Sequence, residues 1–148
     1  GALQARLVQG DGVNLIWAPD GPGWPRAGAD WYEAQQVCQY LGEDGLTPAP
    51  MPQHIWRLPT VDEAVRSMAR HGQNSGGVWD AETAKATYKT TPDKESPLWN
   101  VHSQVIYWWT ATEADEEHAY IIVYDGKVWP RARQFSPAYL GFRCVKER

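Results

Sequence analysis

The residue types that could support catalysis are scattered along this chain. Its four histidines are His54, His71, His102 and His118. None has another histidine three or four residues away, the spacing that lets one helix face hold a metal ion. No Gly-x-Ser-x-Gly segment surrounds a serine. Asp93 and Glu95 are typical of a surface loop, and His102 could pair with Asp93 or Asp115 only if the fold happened to bring them together. The sequence therefore predicts a protein that is not an enzyme.

The other reactive side chains are two cysteines, Cys38 and Cys144. The first lies in a predicted helix and the second in the last predicted strand. Without a Cys-x-x-Cys pair or a third ligand nearby, a zinc or redox site is disfavoured. The residues leave two interpretations open. The cysteines are either buried free thiols of a cytosolic protein or one disulfide that clamps the last strand to the first helix.

Composition excludes several classes of function. The chain has 148 residues, a net charge of −4 and a pI of about 5.5. This acidic balance offers no basic field for nucleic acid or for an anionic membrane. No apolar run approaches the ~20 residues needed to span a bilayer. We expect a single monomeric domain that neither binds nucleic acid nor inserts into a membrane.

Nine tryptophans are many for a chain of this length. Large rings can fill a loop-rich core, and we favour this interpretation. The alternative is that one or two tryptophans line a binding surface for a sugar or a peptide, since aromatic faces suit both.

The elements that must position these groups begin with a strand-to-helix corner. Pro59 favours extended backbone in the residue before it, and Thr60 with Glu63 has the spacing of a capping box. Apolar residues at helical spacing then predict a helix over about 61–70, with Gly72 as its terminator.

Arg57 sits inside this corner. Because it alternates with Trp56 and Leu58, its side chain should point away from their face, and we expect it to pair with an acid or with loop carbonyls. The residues of the corner that we predict to be structural are Trp56, Arg57, Thr60 and Glu63.

The remaining elements follow from capping residues, alternation and turns. A helix is predicted over 31–41, capped by Asp30 with Glu33 at the capping-box position, and a short one over 80–87. Strands are predicted over 13–17, 105–112, 119–124, 127–129 and 141–145. Residues 71–104 are the least regular part. Together these elements indicate an α+β fold.

Six short motifs occur in a fixed order along the chain. They are Leu15-Ile16-Trp17, Asp30-Trp31-Tyr32-Glu33-Ala34, Ile55-Trp56-Arg57-Leu58-Pro59-Thr60, Tyr107-Trp108-Trp109-Thr110-Ala111-Thr112, Tyr124-Asp125-Gly126-Lys127-Val128 and Phe142-Arg143-Cys144-Val145. Over residues 13–146 this series resembles the bacterial domain family found at the C-terminus of the Legionella collagen-like adhesin. That family is largely uncharacterised and has a C-type-lectin-like fold.

The resemblance implies two helices packed on small antiparallel sheets with long irregular loops. Residues 13–148 would form the single domain, and residues 1–12 would be an N-terminal arm or linker remnant. The fold brings the chain ends together, so the resemblance implies a disulfide between Cys38 and Cys144 and an extracytoplasmic location, whether secreted, periplasmic or surface-anchored.

Two segments, Arg57-Leu58-Pro59-Thr60 and Gly141-Phe142-Arg143-Cys144, are also similar to the formylglycine-generating enzyme family. That family needs a pair of reactive cysteines shortly before the second segment, and residues 124–140 contain no cysteine. We therefore expect no oxidase chemistry. An enzyme of this ancestry with lost or altered chemistry is one alternative.

The resembled fold class uses the loops after the second helix as its variable face. Here the ligand-binding loops would be residues 72–104 and 113–118. The candidate ligand-binding residues in the first loop are Trp79, Tyr88, Trp99, Asn100 and His102. Because a long loop must bury some of its own aromatics to be ordered, we expect at most two to be exposed, namely Trp79 and Tyr88.

Lectin-type domains of this class often hold Ca²⁺ near the second of these loops, and Ca²⁺ needs several converging oxygen ligands. The candidate ligands are Asp115, Glu116 and Glu117. The lectin tripeptides Glu-Pro-Asn and Gln-Pro-Asp are absent, so a solvated loop without a cofactor is the favoured interpretation. The basic segment 131–134 would suit an anionic glycan, but its two arginines are better explained as counterions for nearby acids.

These observations lead to one functional expectation and one main alternative. The first is a non-catalytic binding module for a glycan or a protein ligand. The alternative is a structural or accessory domain of an envelope-anchored protein, without a small ligand. Exposed aromatics in the 72–104 loop would favour the first, and burial of all nine tryptophans the second.

Overall fold

The computed structural model describes residues 6–10 and 13–148, and within them it contains two short helices and eleven short strands. The helices are α1 (Trp31–Tyr40) and α2 (Val61–Ser67). The strands are β1 (Arg6–Gly10), β2 (Val13–Trp17), β3 (Ala69–Arg70), β4 (Gln73–Asn74), β5 (Val78–Asp80), β6 (Lys85–Thr87), β7 (Tyr107–Glu113), β8 (His118–Val123), β9 (Val128–Ala132), β10 (Leu140–Gly141) and β11 (Val145–Glu147). This is the predicted α+β architecture.

The largest sheet has four strands in the order β10-β7-β8-β9. β7, β8 and β9 are antiparallel neighbours, whereas β10 joins β7 in parallel. The expectation of antiparallel sheets is therefore wrong at this edge, because the chain crosses over from β9 to β10 instead of turning back in a hairpin. A second sheet, β1-β2-β11, is antiparallel. Two ribbons, β3-β4 and β5-β6, accompany them.

Two neighbouring tryptophans of β7 connect the two halves of the core, because alternation sends their side chains to opposite faces of the sheet. Trp108 belongs to a cluster with β2 and α2, and Trp109 to a second cluster with α1 and the disulfide. Trp108 lies 5.6 Å from Trp17 and stacks on Trp99 at 3.8 Å, between ring centroids. Trp109 donates its indole N–H to the Ala29 carbonyl at 2.8 Å. Strand β7 is thus packed on both faces.

Helix α1 is tied to the far end of the chain. Asp30 caps it by accepting the backbone N–H of Glu33 at 2.8 Å, and its buried face carries Trp31 and Cys38. Cys38 forms a disulfide with Cys144, with 5.6 Å between the Cα atoms. This confirms the pairing that the resemblance implied. The bridge spans 106 residues, and in the chain-entropy model such a closure stabilises the fold by about 4–5 kcal/mol.

The corner before α2 contains the predicted capping box. The Thr60 hydroxyl accepts the N–H of Glu63 at 3.1 Å, and the Glu63 carboxylate accepts the N–H of Thr60 at 2.8 Å. The same carboxylate receives two hydrogen bonds from Arg57, at 2.7 and 2.8 Å. Trp56 is buried and donates its indole N–H to the Gly42 carbonyl. These contacts fix the direction in which α2 leaves the corner.

The end of α2 differs from the prediction of 61–70. The helix ends at Ser67, and Met68 turns to extended backbone, with φ −59° and ψ 144°. The chain then continues as β3, whose pairing with β4 gives its backbone groups hydrogen-bond partners outside the helix. Gly72 does not terminate the helix. It lies in the β3-β4 turn with φ +83°, a conformation that favours glycine.

The predicted helix over 80–87 is wrong, because this segment belongs to the β5-β6 hairpin. Trp79 pairs with Ala86, and both pack against the cluster that contains Trp108. The Asp80 carboxylate accepts the N–H of Glu82 at 3.0 Å, an Asx-type contact that starts a turn. Local turn chemistry and the apolar contact of alternate residues therefore prevail over helix propensity.

The predicted N-terminal arm of residues 1–12 lies partly outside the described residues. Within it, Arg6–Gly10 is strand β1, paired antiparallel with β2. In the part of the chain that is described, no helix has both the length and the apolar character to cross a membrane.

Candidate functional site

The aromatic residues predicted to bind a ligand through the 72–104 loop are packed against the protein. Trp99 is 5% exposed and stacks on Trp108. Trp79 is half-buried, with its ring 5.4 Å from Tyr120 in an edge-to-face contact. Tyr88 is also half-buried and donates its hydroxyl to the carbonyl of Gly126 at 2.7 Å. Burial raises the pKa of the Tyr88 phenol well above its ordinary value.

The two polar candidates of this loop stabilise a local turn. The side-chain oxygen of Asn100 accepts the backbone N–H of His102 at 3.0 Å, and the His102 side chain is exposed. The loop is further held by Arg143, which donates to the Leu98 carbonyl at 3.0 Å. Loop 72–104 therefore presents polar groups to solvent, while the rings of its three candidate aromatics are fully or partly buried.

The acidic run 113–118 forms the turn between β7 and β8. Asp115, Glu116 and Glu117 are all exposed. The Asp115 carboxylate accepts the backbone N–H groups of Glu117 and His118, each at 2.8 Å, and contacts the His118 ring nitrogen at 2.8 Å. The hydrogen bond from the His118 ring is the main reason why the pKa of Asp115 lies below its ordinary value. Asp115 thus serves as the organiser of a tight turn.

A contiguous row of aromatic rings, two of them exposed, lies instead on the four-stranded sheet. Tyr107, Trp129 and Tyr139 form a row, here called the aromatic strip. The ring centroids of Tyr107 and Trp129 are 6.2 Å apart, and those of Tyr107 and Tyr139 are 5.3 Å apart. Trp129 is 37% exposed, Tyr139 is 44% exposed and Tyr107 is half-buried. Aromatic pairs at such distances form one contiguous surface.

Strand register explains how the strip is assembled. Trp129 pairs with Ile121, and Tyr107 pairs with Val123. Cross-strand partners project from the same face of a sheet, so the two large rings rise from β9 and β7 on either side of the smaller residues of β8. Tyr139 precedes β10, and its carbonyl accepts the N–H of Tyr107 at 3.1 Å. Three different segments therefore converge on the strip.

A positive charge lies at one end of the strip. The guanidinium of Arg131 is 5.6 Å from the ring of Trp129, within the range of a cation–π contact. β9 is the edge strand of its sheet, and Pro130 at its centre has no N–H to offer. The strip is therefore bordered by a cation and by a strand edge that is poorly suited to pairing with another strand.

The second arginine of segment 131–134 has a different role. Arg133 is 9% exposed and lies over the ring of Trp31 at 4.6 Å. It also pairs with Glu113 at 3.6 Å and donates to the Asp115 carbonyl. The expectation that these arginines are counterions holds for Arg133, whereas Arg131 contacts an aromatic ring and its neighbouring carbonyl.

A concave pocket of about 420 Å³ lies between α1 and residues 22–29 and 48–49. Its wall is mostly apolar and includes Pro25, Val37 and Phe142, with polar groups from Glu33 and Gln36. The volume is in the range of small-molecule sites. The sequence did not predict this pocket, because its wall combines one helix face with two proline-containing loops whose path cannot be read from local patterns.

The sequence did not predict the aromatic strip either. Trp129 was predicted to lie in the return strand over 127–129, and Tyr107 in the strand over 105–112. The available signal was Trp129-Pro130-Arg131, since proline in a strand indicates an edge and edge residues are more exposed. Tyr139 lies in an irregular segment with no such signal.

Comparison with known proteins yields no assignment for the chain: no family model matches it, and neither does any curated protein or any solved structure. Its function is therefore argued from the geometry.

Proposed function

We propose that this domain is a non-catalytic binding module that recognises a carbohydrate at the aromatic strip. The observation that carries the proposal is the contiguous row of Tyr107, Trp129 and Tyr139, in which Trp129 and Tyr139 are exposed and Tyr107 is half-buried. The apolar face of a sugar ring packs on an aromatic face, and its hydroxyls need polar partners at the rim. The phenol groups of the two tyrosines and the guanidinium of Arg131 are such partners.

The site proposed here replaces loops 72–104 and 113–118 as the main ligand surface. The aromatic rings of the first loop are packed inward, and Asp115 of the second is engaged in its own turn. Two of the three rings of the strip, those of Tyr107 and Trp129, lie on strands. Strand residues are held more rigidly than loop residues, so less conformational freedom is lost when a ligand binds.

The C-type-lectin-like fold and the resemblance to the adhesin domain family belong to this proposal. They are supported by two helices, small sheets joined by long loops, and a disulfide from the first helix to the end of the chain. An extracytoplasmic location is proposed on the same disulfide, because such bonds persist in oxidising compartments.

The alternative of a formylglycine-type oxidase is less well supported. Cys38 and Cys144 are the two cysteines of the chain, and both are in the disulfide, so no thiol remains for that chemistry. The alternative of an accessory domain is favoured by one observation, the burial of seven of the nine tryptophans.

A glycan array followed by isothermal titration calorimetry tests the carbohydrate proposal. We expect Trp129→Ala to weaken binding of any glycan hit about tenfold or more, since a lost stacking contact of roughly 1.4 kcal/mol corresponds to that factor. Tyr32→Ala is the matched control, because Tyr32 is 50% exposed on α1 and lies outside the strip. Failure of every glycan to bind, or equal affinity of Trp129→Ala, would contradict the proposal and favour the accessory domain.

A further inference from the structure

Three side chains from different segments converge beside the β3-β4 turn. The Nδ1 atom of His71 lies 2.8 Å from Oε2 of Glu95 and 3.2 Å from Oδ2 of Asp93. One ligand-type atom from each residue lies within 4.8 Å of the others. Among the residues that the structure describes, this is the one group of three histidine, cysteine or acidic side chains with such convergence.

Backbone contacts hold the two segments in place. The backbone N–H of Asp93 donates to the Ala69 carbonyl at 3.1 Å, and the Asp93 carboxylate accepts the backbone N–H of His71 at 3.2 Å. Arg70 adds a hydrogen bond to the Thr91 carbonyl at 3.1 Å. Asp93 is therefore oriented by the fold itself, whereas Glu95, whose side chain is 68% exposed, is free to adjust.

Among the residues that the structure describes, no lysine or arginine forms an ion pair with Asp93 or Glu95. In the described part of the chain, the ion pairs of Asp93 and Glu95 are those with His71. Lys94, between the two acids, directs its ammonium group to the Ser103 carbonyl at 2.6 Å. Two carboxylates thus share one imidazole, and a bound cation would neutralise them while using the imidazole nitrogen as a ligand.

We infer that His71, Asp93 and Glu95 form a binding site for a divalent transition-metal ion, zinc above all. Zinc bonds of 2.0–2.2 Å in tetrahedral geometry separate the ligand atoms by about 3.4 Å. The distances of 2.8 and 3.2 Å from Nδ1 approach this value, and a small movement of Glu95 completes the match. One nitrogen and two oxygens suit zinc better than calcium, which takes six to eight oxygen ligands.

The site has consequences beyond the proposed glycan surface and does not depend on it. Three protein ligands leave a fourth position of the metal open to water or to a group from another molecule. The ion would also clamp the segment that carries Asp93 and Glu95 to the β3-β4 turn, and so would order the loop that follows.

Zinc binding is tested on untagged protein, treated with a chelator and titrated with ZnCl₂ by calorimetry and thermal unfolding. We expect one ion per chain and an unfolding midpoint raised by roughly 5 to 10 °C at a hundredfold excess over Kd. CaCl₂ should give no shift. Bound Co²⁺ should give the absorption spectrum typical of a low coordination number, and His71→Ala should abolish this spectrum.

Glu95→Gln is the decisive variant, because Glu95 is exposed and the substitution keeps its shape. It should weaken zinc binding about tenfold or more. His118→Ala is the matched control. His118 also pairs with an acid, Asp115, but among the described residues this pair has no third histidine, cysteine or acidic side chain close enough to share a metal ion. No stoichiometric zinc binding, or equal binding by Glu95→Gln and the parent protein, would overturn the inference.

Discussion

The aromatic residues of loop 72–104 and those of the aromatic strip are chemically alike but are used in opposite ways. In the loop, Trp99 stacks inside the core and the Tyr88 hydroxyl donates a hydrogen bond to a backbone carbonyl. In the strip, Trp129 and Tyr139 remain exposed. The difference indicates that an aromatic ring can remain exposed where the backbone is already ordered by strand pairing, and is buried where the ring itself must order the backbone.

A loop without a hydrogen-bonded ladder must obtain its order from side chains. The segment around Leu98 is held by Trp99 from within and by the guanidinium of Arg143, which donates to the Leu98 carbonyl. The strands of the strip are already held by their ladders with β8. The exposed rings of Trp129 and Tyr139 are therefore not needed for order, and removing one should cost little stability.

The largest expected effect is on stability, from Trp99→Ala. Loss of a buried ring that stacks on Trp108 at 3.8 Å should lower the free energy of unfolding by about 3–5 kcal/mol. The matched variant is Trp129→Ala, which should cost less than about 1 kcal/mol because its ring is 37% exposed. Urea unfolding followed by circular dichroism measures both. Similar losses of unfolding free energy in the two variants would contradict the proposed difference between the loop and the strip.

The next effect concerns the corner that supports α2. Burial alone would raise the pKa of Glu63, but the hydrogen bonds from Arg57 and from the Thr60 N–H overcome it and hold the pKa below its ordinary value. Glu63→Gln should lower the free energy of unfolding at pH 7 by about 1.5 kcal/mol, through loss of the ionic pair with Arg57. Urea unfolding at several pH values measures the difference.

The sign of the pH dependence follows from that lowered pKa. A carboxyl group whose pKa is lower in the folded state stabilises the fold above the unfolded value of about 4.3, and this contribution is lost as the pH falls through the folded value. The gap between the parent protein and Glu63→Gln should therefore be full at pH 7, begin to shrink near the unfolded value of about 4.3, and close only below the lowered folded-state pKa. A gap that stays constant across this range would exclude the ionic pair as its cause.

The Glu63→Gln variant also tests the comparison between loop 72–104 and the aromatic strip. α2 contributes Val61, Ala64 and Val65 to the same core cluster as Trp99. Loosening α2 should therefore raise amide hydrogen exchange in the loop around Trp99 and leave exchange at the strip unchanged.

Local chemistry made part of the fold predictable. The capping box of Thr60 and Glu63 involves neighbours in sequence, and strand β2 has the predicted limits. The disulfide pairing came from the resemblance to a known family, not from the residues themselves. The 80–87 hairpin and the parallel β10 were missed because they depend on tertiary contacts, such as the packing of Trp79 and Ala86 on the core.

The candidate sites were harder to predict, for a similar physical reason. His71 meets Asp93 only because the β3-β4 turn lies beside the 91–95 segment, and no spacing along the chain encodes that proximity. The sequence directed attention to Asp93 with His102 instead. The strip likewise requires β7 and β9 on either side of β8, so exposure could not be assigned to Tyr107 or Trp129 one residue at a time.

The smallest expected effect comes from removing one hydroxyl in each region. Tyr88→Phe deletes the donor of a partly buried hydrogen bond of 2.7 Å to the Gly126 carbonyl, and should lower the free energy of unfolding by about 1 kcal/mol. Tyr139→Phe deletes the hydroxyl of a side chain that is 44% exposed, and its stability should stay within about 0.5 kcal/mol of the parent protein. Both variants keep the ring, so urea unfolding measures the contribution of the hydroxyl alone.

The two variants should also differ in their affinity for a glycan. Tyr139→Phe should weaken a glycan ligand of the strip, because it removes a polar partner from the rim, whereas Tyr88→Phe should leave the affinity unchanged. A larger loss of affinity in Tyr88→Phe than in Tyr139→Phe would mean that the loop carries the ligand surface after all.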